Sequence, residues 1–239
     1  MAFLLTTLAG LSTVLGAIFV FFNFKNEDKV INIALSFAAG VMITVSLFDL
    51  LPESFELLKP GFLSIVFILL SINIGIILSM IIDKFVPNND NLYRVGIISM
   101  IAIIMHNIPE GIATYMAGTH NIKLGITLSI AIALHNIPEG ITVSLPIYYS
   151  TRSKIKAFTY TLLSGVSEIF GAILAAIFLK SAITDSFMAI LLGVISGIMF
   201  YISFYELLPE AIRYRKIRIT LIASGVGMLI MILSILLTG

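Results

Sequence analysis

The chain has 239 residues, of which 59% are hydrophobic and 11% are charged, and its formal net charge is +1. Soluble domains are about 45–50% apolar and about 25% charged, so this composition excludes an ordinary soluble domain and indicates a membrane protein. The near-neutral charge and the lack of a Lys/Arg-rich stripe argue against a nucleic-acid partner. The sequence contains no cysteine, which excludes disulfides and thiolate metal sites.

Eight segments are long and apolar enough to cross a bilayer, because a transmembrane helix needs about 20 mostly apolar residues. The first one has no basic n-region and is long enough to span, so we count it as a helix rather than a signal peptide. Every break is short and polar, so we predict a single transmembrane domain over 1–239. The predicted spans are approximately 2–22, 30–52, 61–83, 93–115, 123–147, 156–179, 184–208 and 218–238.

Basic residues lie mostly on one side of this predicted topology. Only Lys59, Lys123 and Lys180 fall on the other side. The positive-inside rule places the basic side in the cytoplasm, so both termini are expected outside it. The residues of the basic side are Lys25, Lys29, Lys84, Arg94, Arg152, Lys154, Lys156, Arg213, Arg215, Lys216 and Arg218.

Ionisable residues lie near the centres of the fourth, fifth and sixth spans. Such groups cost about 3 kcal/mol or more at the bilayer midplane unless they are paired, and they mark functional sites. Every Lys and Arg lies at a span end or in a break. Protons, a bound cation or both must therefore neutralise the central acids. The central polar residues are His106, Asn107 and Glu110, then His135, Asn136 and Glu139, and finally Glu168.

Six of these residues belong to two copies of His-Asn-Ile-Pro-Glu-Gly, at 106–111 and 135–140. Residues three or four apart share a helix face, so each copy presents an imidazole, an amide and a carboxylate together. Imidazole and carboxylate ligands suit Zn²⁺, Fe²⁺ or Mn²⁺ better than Ca²⁺ or Na⁺. With Glu168, the set exceeds what one tetrahedral zinc needs, and it is large enough for two ions bridged by Glu110 and Glu139.

The prolines and glycines of the two copies add a structural expectation. The rings of Pro109 and Pro138 should clash with the carbonyl four residues back, kink each helix and free a carbonyl at ligand depth. The glycines that end the copies, Gly111 and Gly140, should permit close helix approach. A structural interhelical hydrogen bond would explain a lone central histidine but not two matched copies. His120 falls in a predicted outer loop and is expected to be solvated.

A second pattern links the ends of the second and seventh spans. The segments VSLFDLLPES, at 45–54, and ISFYELLPEA, at 202–211, match, and the predicted topology runs them in opposite directions. An inverted repeat around a midplane site is a common plan of secondary transporters. Ordinary helix-end acids before a proline are the alternative. We predict a cation pathway with Asp49 and Glu53 at its outer mouth and Glu206 and Glu210 at its inner mouth.

The two HNIPEG motifs closely resemble those of the ZIP (Zrt-, Irt-like protein) divalent metal transporters, most closely the bacterial ZupT-like branch. The segment Ser164-Gly165-Val166-Ser167-Glu168 is similar too, and the resemblance covers essentially the whole chain. It implies eight helices in a 3+2+3 arrangement, outward termini and metal import through a binuclear centre. The implied ligands are His106, Glu110, His135 and Glu139 for one ion, and Asn107, Glu110, Asn136, Glu139 and Glu168 for the other.

Two features depart from the family pattern. Ile169 stands where many members have a proline after the helix-six glutamate, which leaves the geometry near Glu168 open. The break from Pro87 to Asn91 is short and has no histidine, so metal sensing by that loop is not expected.

We therefore expect a zinc importer in a bacterial cytoplasmic membrane, with Fe²⁺, Mn²⁺ and Cd²⁺ as further candidate substrates and no separate cofactor. The resemblance suggests that helices one, four, five and six rock against the rest. A homodimer is an open possibility. A membrane di-metal enzyme and a metal-selective channel are the alternatives. The Glu-x-x-His and His-Glu-x-x-His spacings of such enzymes are absent, so we expect no enzyme activity.

Overall fold

A computed structural model of the chain describes residues 1–86, 90–178 and 184–238. The described residues are helical with short connections, and eight helices are long and apolar enough to cross a membrane. The predicted class, an all-α polytopic membrane protein, is therefore confirmed. The helices are α1 (Ala2–Phe21), α2 (Glu27–Leu57), α3 (Phe62–Phe85), α4 (Asn91–His120), α5 (Ile122–Thr151), α6 (Lys154–Ile177), α7 (Asp185–Arg213) and α8 (Ile217–Leu237). Most of the short break from Pro87 to Asn91, and also Lys180, lie outside the described residues.

Two helices continue past the points where prolines were expected to end them. Both α2 and α7 contain a π-helical turn, Ser46–Leu50 in one and Ile202–Leu207 in the other. Each turn is followed by a proline at the start of the next α-helical segment, Pro52 and Pro209. A π-turn changes the hydrogen-bond register, and a proline is tolerated where its missing amide is not needed. The breaks predicted after these positions were therefore placed too early.

The break between α4 and α5 is a single residue, Asn121. Its side chain accepts hydrogen bonds from the amides of Lys123, at 2.9 Å, and Leu124, at 3.4 Å, and so begins α5 directly after α4 ends. His120 is consequently the last residue of α4 and exposed, so the prediction of a loop there was wrong and its solvation is confirmed. An Asn cap supplies the acceptor that a helix start requires, which makes a longer loop unnecessary.

Close backbone approaches divide the helices into two four-helix units. In the first unit, formed by α1, α4, α5 and α6, a Cβ on Gly111 would lie 1.9 Å from the carbonyl oxygen of Glu168. In the second unit, formed by α2, α3, α7 and α8, a Cβ on Gly40 would lie 2.1 Å from the carbonyl oxygen of Ser224. Helices approach this closely only at small residues. The helices that were expected to move together thus pack together.

The inverted repeat relates these contacts pairwise. Gly40 of α2 packs on α8, and its counterpart in α7 is Gly197, which packs on α3. A Cβ on Gly197 would lie 2.1 Å from the carbonyl oxygen of Ile72. The π-turns of α2 and α7 are a second matched pair. In this 3+2+3 arrangement, α1–α3 and α6–α8 are the two halves of the inverted repeat, and α4 and α5 are the central pair.

Candidate metal centre

The two HNIPEG motifs meet in the interior of the first unit, halfway along α4 and α5. The Oε1 atom of Glu110 lies 2.9 Å from Nε2 of His106 and 2.8 Å from Nε2 of His135. Nε2 of His106 also lies 3.5 Å from Oε1 of Glu139. Donor atoms of His106, Glu110 and His135 lie within 4.8 Å of one another, which is compact enough for one shared cation. All four side chains are buried.

The two motif asparagines are held by backbone carbonyls of α1 and α6. Nδ2 of Asn107 donates to the Ser164 carbonyl at 3.0 Å, and Nδ2 of Asn136 donates to the Ala9 carbonyl at 3.0 Å. Nδ2 of Asn136 also donates to Oε2 of Glu168 at 2.9 Å. Because the amide nitrogens are engaged in this way, the amide oxygens are the ends available to a cation.

Buried oxygen atoms without a hydrogen-bond partner are concentrated at this place. Native interiors satisfy the large majority of their buried polar groups, so a cluster of unsatisfied acceptors calls for a positively charged ligand. Within the described residues, the unpartnered oxygens of the motifs and α6 are Oδ1 of Asn107 and Asn136, Oε2 of Glu110, both carboxylate oxygens of Glu139 and Oε1 of Glu168. They include an atom from every residue that the family resemblance implies for the second ion.

The charge partners of these acids are the two motif histidines. Among the described residues, only the two histidines form ion-pair contacts with Glu110 and Glu139, and no Lys or Arg does so. Three buried carboxylates around two imidazoles can therefore hold divalent cations or protons.

The glycines of the motifs let α1 and α6 reach the site. A Cβ on Gly111 would lie 1.9 Å from the carbonyl oxygen of Glu168, and one on Gly140 would lie 1.9 Å from that of Thr13. A side chain at either position would collide with this backbone and force α6 or α1 outward. The predicted role of these glycines in close helix approach is confirmed. Both helices also continue through Pro109 and Pro138.

A cavity, named the outer cavity after the side of the membrane predicted for it, lies between the acidic end of α2 and the motifs. It has a volume of about 50 Å³ and is lined by Asp49, Glu53, Glu110 and His135, among others. Asp49 is half-buried and also lines a neighbouring cavity between α2, α5 and α8. The structure therefore brings both predicted outer acids to the motif residues.

The acids at the end of α7 lie elsewhere and are paired with arginines. Nη1 of Arg94 lies 3.4 Å from Oε1 of Glu206, and Nη1 of Arg213 lies 3.4 Å from Oε2 of Glu210. A separate cavity of about 130 Å³ is lined by these four side chains and by no residue of the two motifs. The structure therefore does not join Glu206 and Glu210 to the site.

Sequence reasoning treated Arg94 only as a topology signal, whereas it bridges three helices. From the start of α4 it pairs with Asp83 of α3 as well as with Glu206 of α7. The hydroxyl of Tyr201 donates to Oδ2 of Asp83 at 3.2 Å. The sequence feature that could have predicted these ion pairs is the position of Arg94 in the first turn of its helix, with acids at the ends of other spans.

Comparison with known proteins agrees with this architecture. The family model described as ZIP Zinc transporter matches residues 87–235. The chain is 40% identical to Zinc transporter ZupT of Streptococcus mutans serotype c, over 99% of this chain and 97% of that protein. It is 38% identical to that of Clostridium perfringens, over 99% and 95%, and 39% identical to that of Campylobacter jejuni, over 100% and 96%. The chain therefore belongs to the ZIP zinc transporter family and is a multi-pass membrane transporter of divalent metal ions, not an enzyme.

Proposed function

We propose that the chain imports Zn²⁺ into the cytoplasm and binds it at the centre of α4, α5 and α6. The observation that carries this proposal is the cluster of buried, unpartnered oxygens beside two imidazoles, which no arginine or lysine of the described residues neutralises. The relatives are named as zinc transporters, which supports zinc as the substrate. The site and the pathway belong to one transmembrane domain that spans 1–239.

The seven central residues form two ion positions that share Glu110 and Glu139. The first position uses both histidines, whose Nε2 atoms already face Oε1 of Glu110. The second uses the amide oxygens of Asn107 and Asn136 together with Glu168, because these atoms lack other partners within the described residues. Mixed nitrogen and oxygen ligands also accept Fe²⁺, Mn²⁺ and Cd²⁺, which we propose as further substrates. The metal is cargo, and the mechanism needs no other cofactor.

We infer the orientation of the chain in the membrane from the basic end of the molecule. Lys and Arg residues cluster at the connections that precede α2, α4, α6 and α8, and ion pairs such as Arg152 with Glu27 join neighbouring connections there. By the positive-inside rule this end faces the cytoplasm of a bacterial cell, and both termini face outward. Asp49 and Glu53 then line the outer mouth, and Glu206 and Glu210 line the inner mouth.

Transport requires the first unit to move against the second. Ion pairs join the two units at the basic end, where Arg94 of α4 pairs with Asp83 and Glu206, and Arg152 of α5 pairs with Glu27 at 2.7 Å. The motif residues are reached from the opposite end through the outer cavity. We therefore propose that the described conformation is the outward-facing one. Opening inward separates Arg94 from Glu206, which frees this carboxylate to receive the departing ion.

The chain has apolar surfaces on which a second copy can pack to form a homodimer. The helices α3 and α8 bury only 17% and 28% of their most apolar stretches within the chain, so lipid or another copy must cover the rest. We propose a homodimer that uses these faces and leaves the first unit of each copy free to move.

Uptake of ⁶⁵Zn²⁺ into sealed vesicles tests the proposed function. We expect the unaltered chain to accumulate zinc and Glu110→Gln/Glu139→Gln to lose uptake by at least about 100-fold, since the substitution removes both bridging carboxylates. Glu56→Gln, an exposed acid on α2, is the matched control and should transport normally. Equal uptake by the double variant and the unaltered chain, at equal amounts of protein in the membrane, would refute the proposed site.

A further inference from the structure

The inverted repeat makes α1 the counterpart of α6. Gly10 and Gly165 pack on each other, since a Cβ on Gly10 would lie 2.6 Å from the Gly165 carbonyl oxygen and one on Gly165 would lie 2.4 Å from that of Gly10. Gly165 precedes Glu168 by the same interval at which Gly10 precedes Thr13. This register makes Thr13 the counterpart of Glu168.

The surroundings of the two residues agree with this register. The carbonyl of Glu168 packs on the motif glycine of α4, Gly111, and the carbonyl of Thr13 packs on the motif glycine of α5, Gly140. One turn earlier in each helix, a backbone carbonyl accepts a hydrogen bond from a motif asparagine. The side chain of Glu168 extends from this position on α6 to the motif residues. The repeat therefore places the side chain of Thr13 at the equivalent position on α1, on the opposite side of the site.

The hydroxyl of Thr13 is buried and has no partner in the described part of the chain. Threonines in helices commonly donate to the carbonyl four residues back, as Thr6 does to Ala2 at 3.2 Å and Thr161 does to Ala157 at 2.8 Å. The corresponding acceptor for Thr13 is the Ala9 carbonyl. That oxygen already accepts from Oγ of Ser12 at 2.6 Å and from Nδ2 of Asn136 at 3.0 Å.

The structure assigns to Thr13 the role of an oxygen ligand in the second ion position, as the neutral counterpart of Glu168. This inference rests on the proposed function, because it adds a residue to the same site. A hydroxyl oxygen there completes the oxygen-rich position formed by the asparagines and Glu168. A fourth carboxylate would surround the ions with more negative charge, whereas a hydroxyl contributes a ligand without a further charge to oppose release.

Equilibrium binding of ⁶⁵Zn²⁺ to the purified full chain tests the role of Thr13. Thr13→Val removes the hydroxyl and keeps the shape of the side chain, and we expect it to weaken the second of two zinc-binding events by about tenfold without changing the first. Thr13→Ser should restore binding. Thr6→Val is the matched control, because Thr6 is also buried in α1 but its hydroxyl already has a partner.

Competition by Mn²⁺ adds a measurement that a purely structural role would not change. Manganese prefers oxygen ligands, so Thr13→Val should lose more affinity for Mn²⁺ than for Zn²⁺. The inference is overturned if Thr13→Val binds both metals like the unaltered chain, or if Thr13→Val and Thr6→Val weaken both binding events equally. Two normal binding events in an unaltered chain that transports no zinc would contradict the proposed function alone.

Discussion

The acidic ends of α2 and α7 share a backbone design and differ in their charge partners. Each has a π-helical turn followed by a proline, as the inverted repeat requires. Glu206 and Glu210 are buried beside arginines, whereas Asp49 is half-buried and Glu53 is exposed. No Lys or Arg in the described ranges forms an ion pair with Asp49 or Glu53. The repeat supplies a pair of carboxylates at the end of each helix. Among the described residues, only the two acids of α7 form ion pairs with arginines, which come from α4 and α7.

We propose that this difference lets one fold accept a cation from one side while the other side is held shut. An unpaired acid pair attracts a cation, while an arginine already occupies the equivalent place at the inner end. The motif residues lie between the two ends, and the cavity that Glu110 and His135 line also contains the unpaired acids Asp49 and Glu53. Placing a basic residue at the outer end, or removing one from the inner end, should therefore alter transport in predictable ways.

The largest effect is expected from copying the inner arrangement to the outer end. Leu128 of α5 lines the cavities that contain Asp49 and Glu53. Leu128→Arg should place a guanidinium beside these acids and lower zinc uptake at least about tenfold, because the fixed cation replaces the mobile one. Leu128→Met, which keeps the volume and adds no charge, should transport like the unaltered chain. Normal uptake by Leu128→Arg would show that metal does not pass Asp49.

Removing the inner arginine should destabilise the described conformation. The side chains of Arg94 and Glu206 are 22% and 5% exposed, so Arg94→Gln leaves buried acids unpaired, at about 3 kcal/mol of unfolding free energy. Thermal unfolding in detergent measures this loss, and Arg152→Gln is the control. Its ion pair with Glu27 is well exposed and screened by water, so its loss should change the free energy of unfolding far less. Similar losses for the two variants would contradict the distinction between the buried and the exposed pair.

A smaller effect is expected when the outer acids lose their charge. Asp49→Asn/Glu53→Gln should raise the zinc concentration for half-maximal uptake by about tenfold and leave the maximal rate nearly unchanged, since these acids concentrate the cation without binding it at the midplane. High salt should reduce the difference between this variant and the unaltered chain. A lower maximal rate at unchanged half-maximal concentration would place these acids in the rate-limiting movement instead.

The smallest effect is expected at His120, the exposed last residue of α4. His120→Gln should change neither uptake nor its dependence on zinc concentration, because the side chain is solvated and lies outside the cavities described above. A loss of uptake at low zinc only would instead give His120 a part in metal capture.

The sequence was sufficient to predict the eight helices and the clustering of the motif residues. Long apolar runs of this kind are compatible with few structures other than transmembrane helices. The spacing of His106, Asn107 and Glu110 places them on a common helix face, and this does not depend on the tertiary fold. The matched motif in α5 and the buried position of Glu168 extend the same argument to three helices. These inferences depend on local periodicity, which one sequence shows directly.

The helix ends and the inner ion pairs could not be predicted in the same way. Pro52 and Pro209 are ordinary stop signals, and only the preceding π-turns show why the helices continue. Asp83, Arg94 and Glu206 come from three different helices, so their contact depends on tertiary packing that no local pattern records. The charge difference between the two ends therefore required the structure.

Reaction of engineered cysteines with a membrane-impermeant thiol reagent tests the difference between the two ends most directly. The native chain has no cysteine, so each introduced thiol is a unique reporter. Ala113 lines the outer cavity beside Glu110, and Val95 lines the inner cavity beside Arg94. From the outside, the account predicts that Ala113→Cys reacts and is protected by Zn²⁺. From the inside, Val95→Cys should react only when Arg94→Gln is also present. Rapid reaction of Val95→Cys with Arg94 in place, or no reaction at Ala113→Cys, would contradict an outward-facing site closed on the inner side.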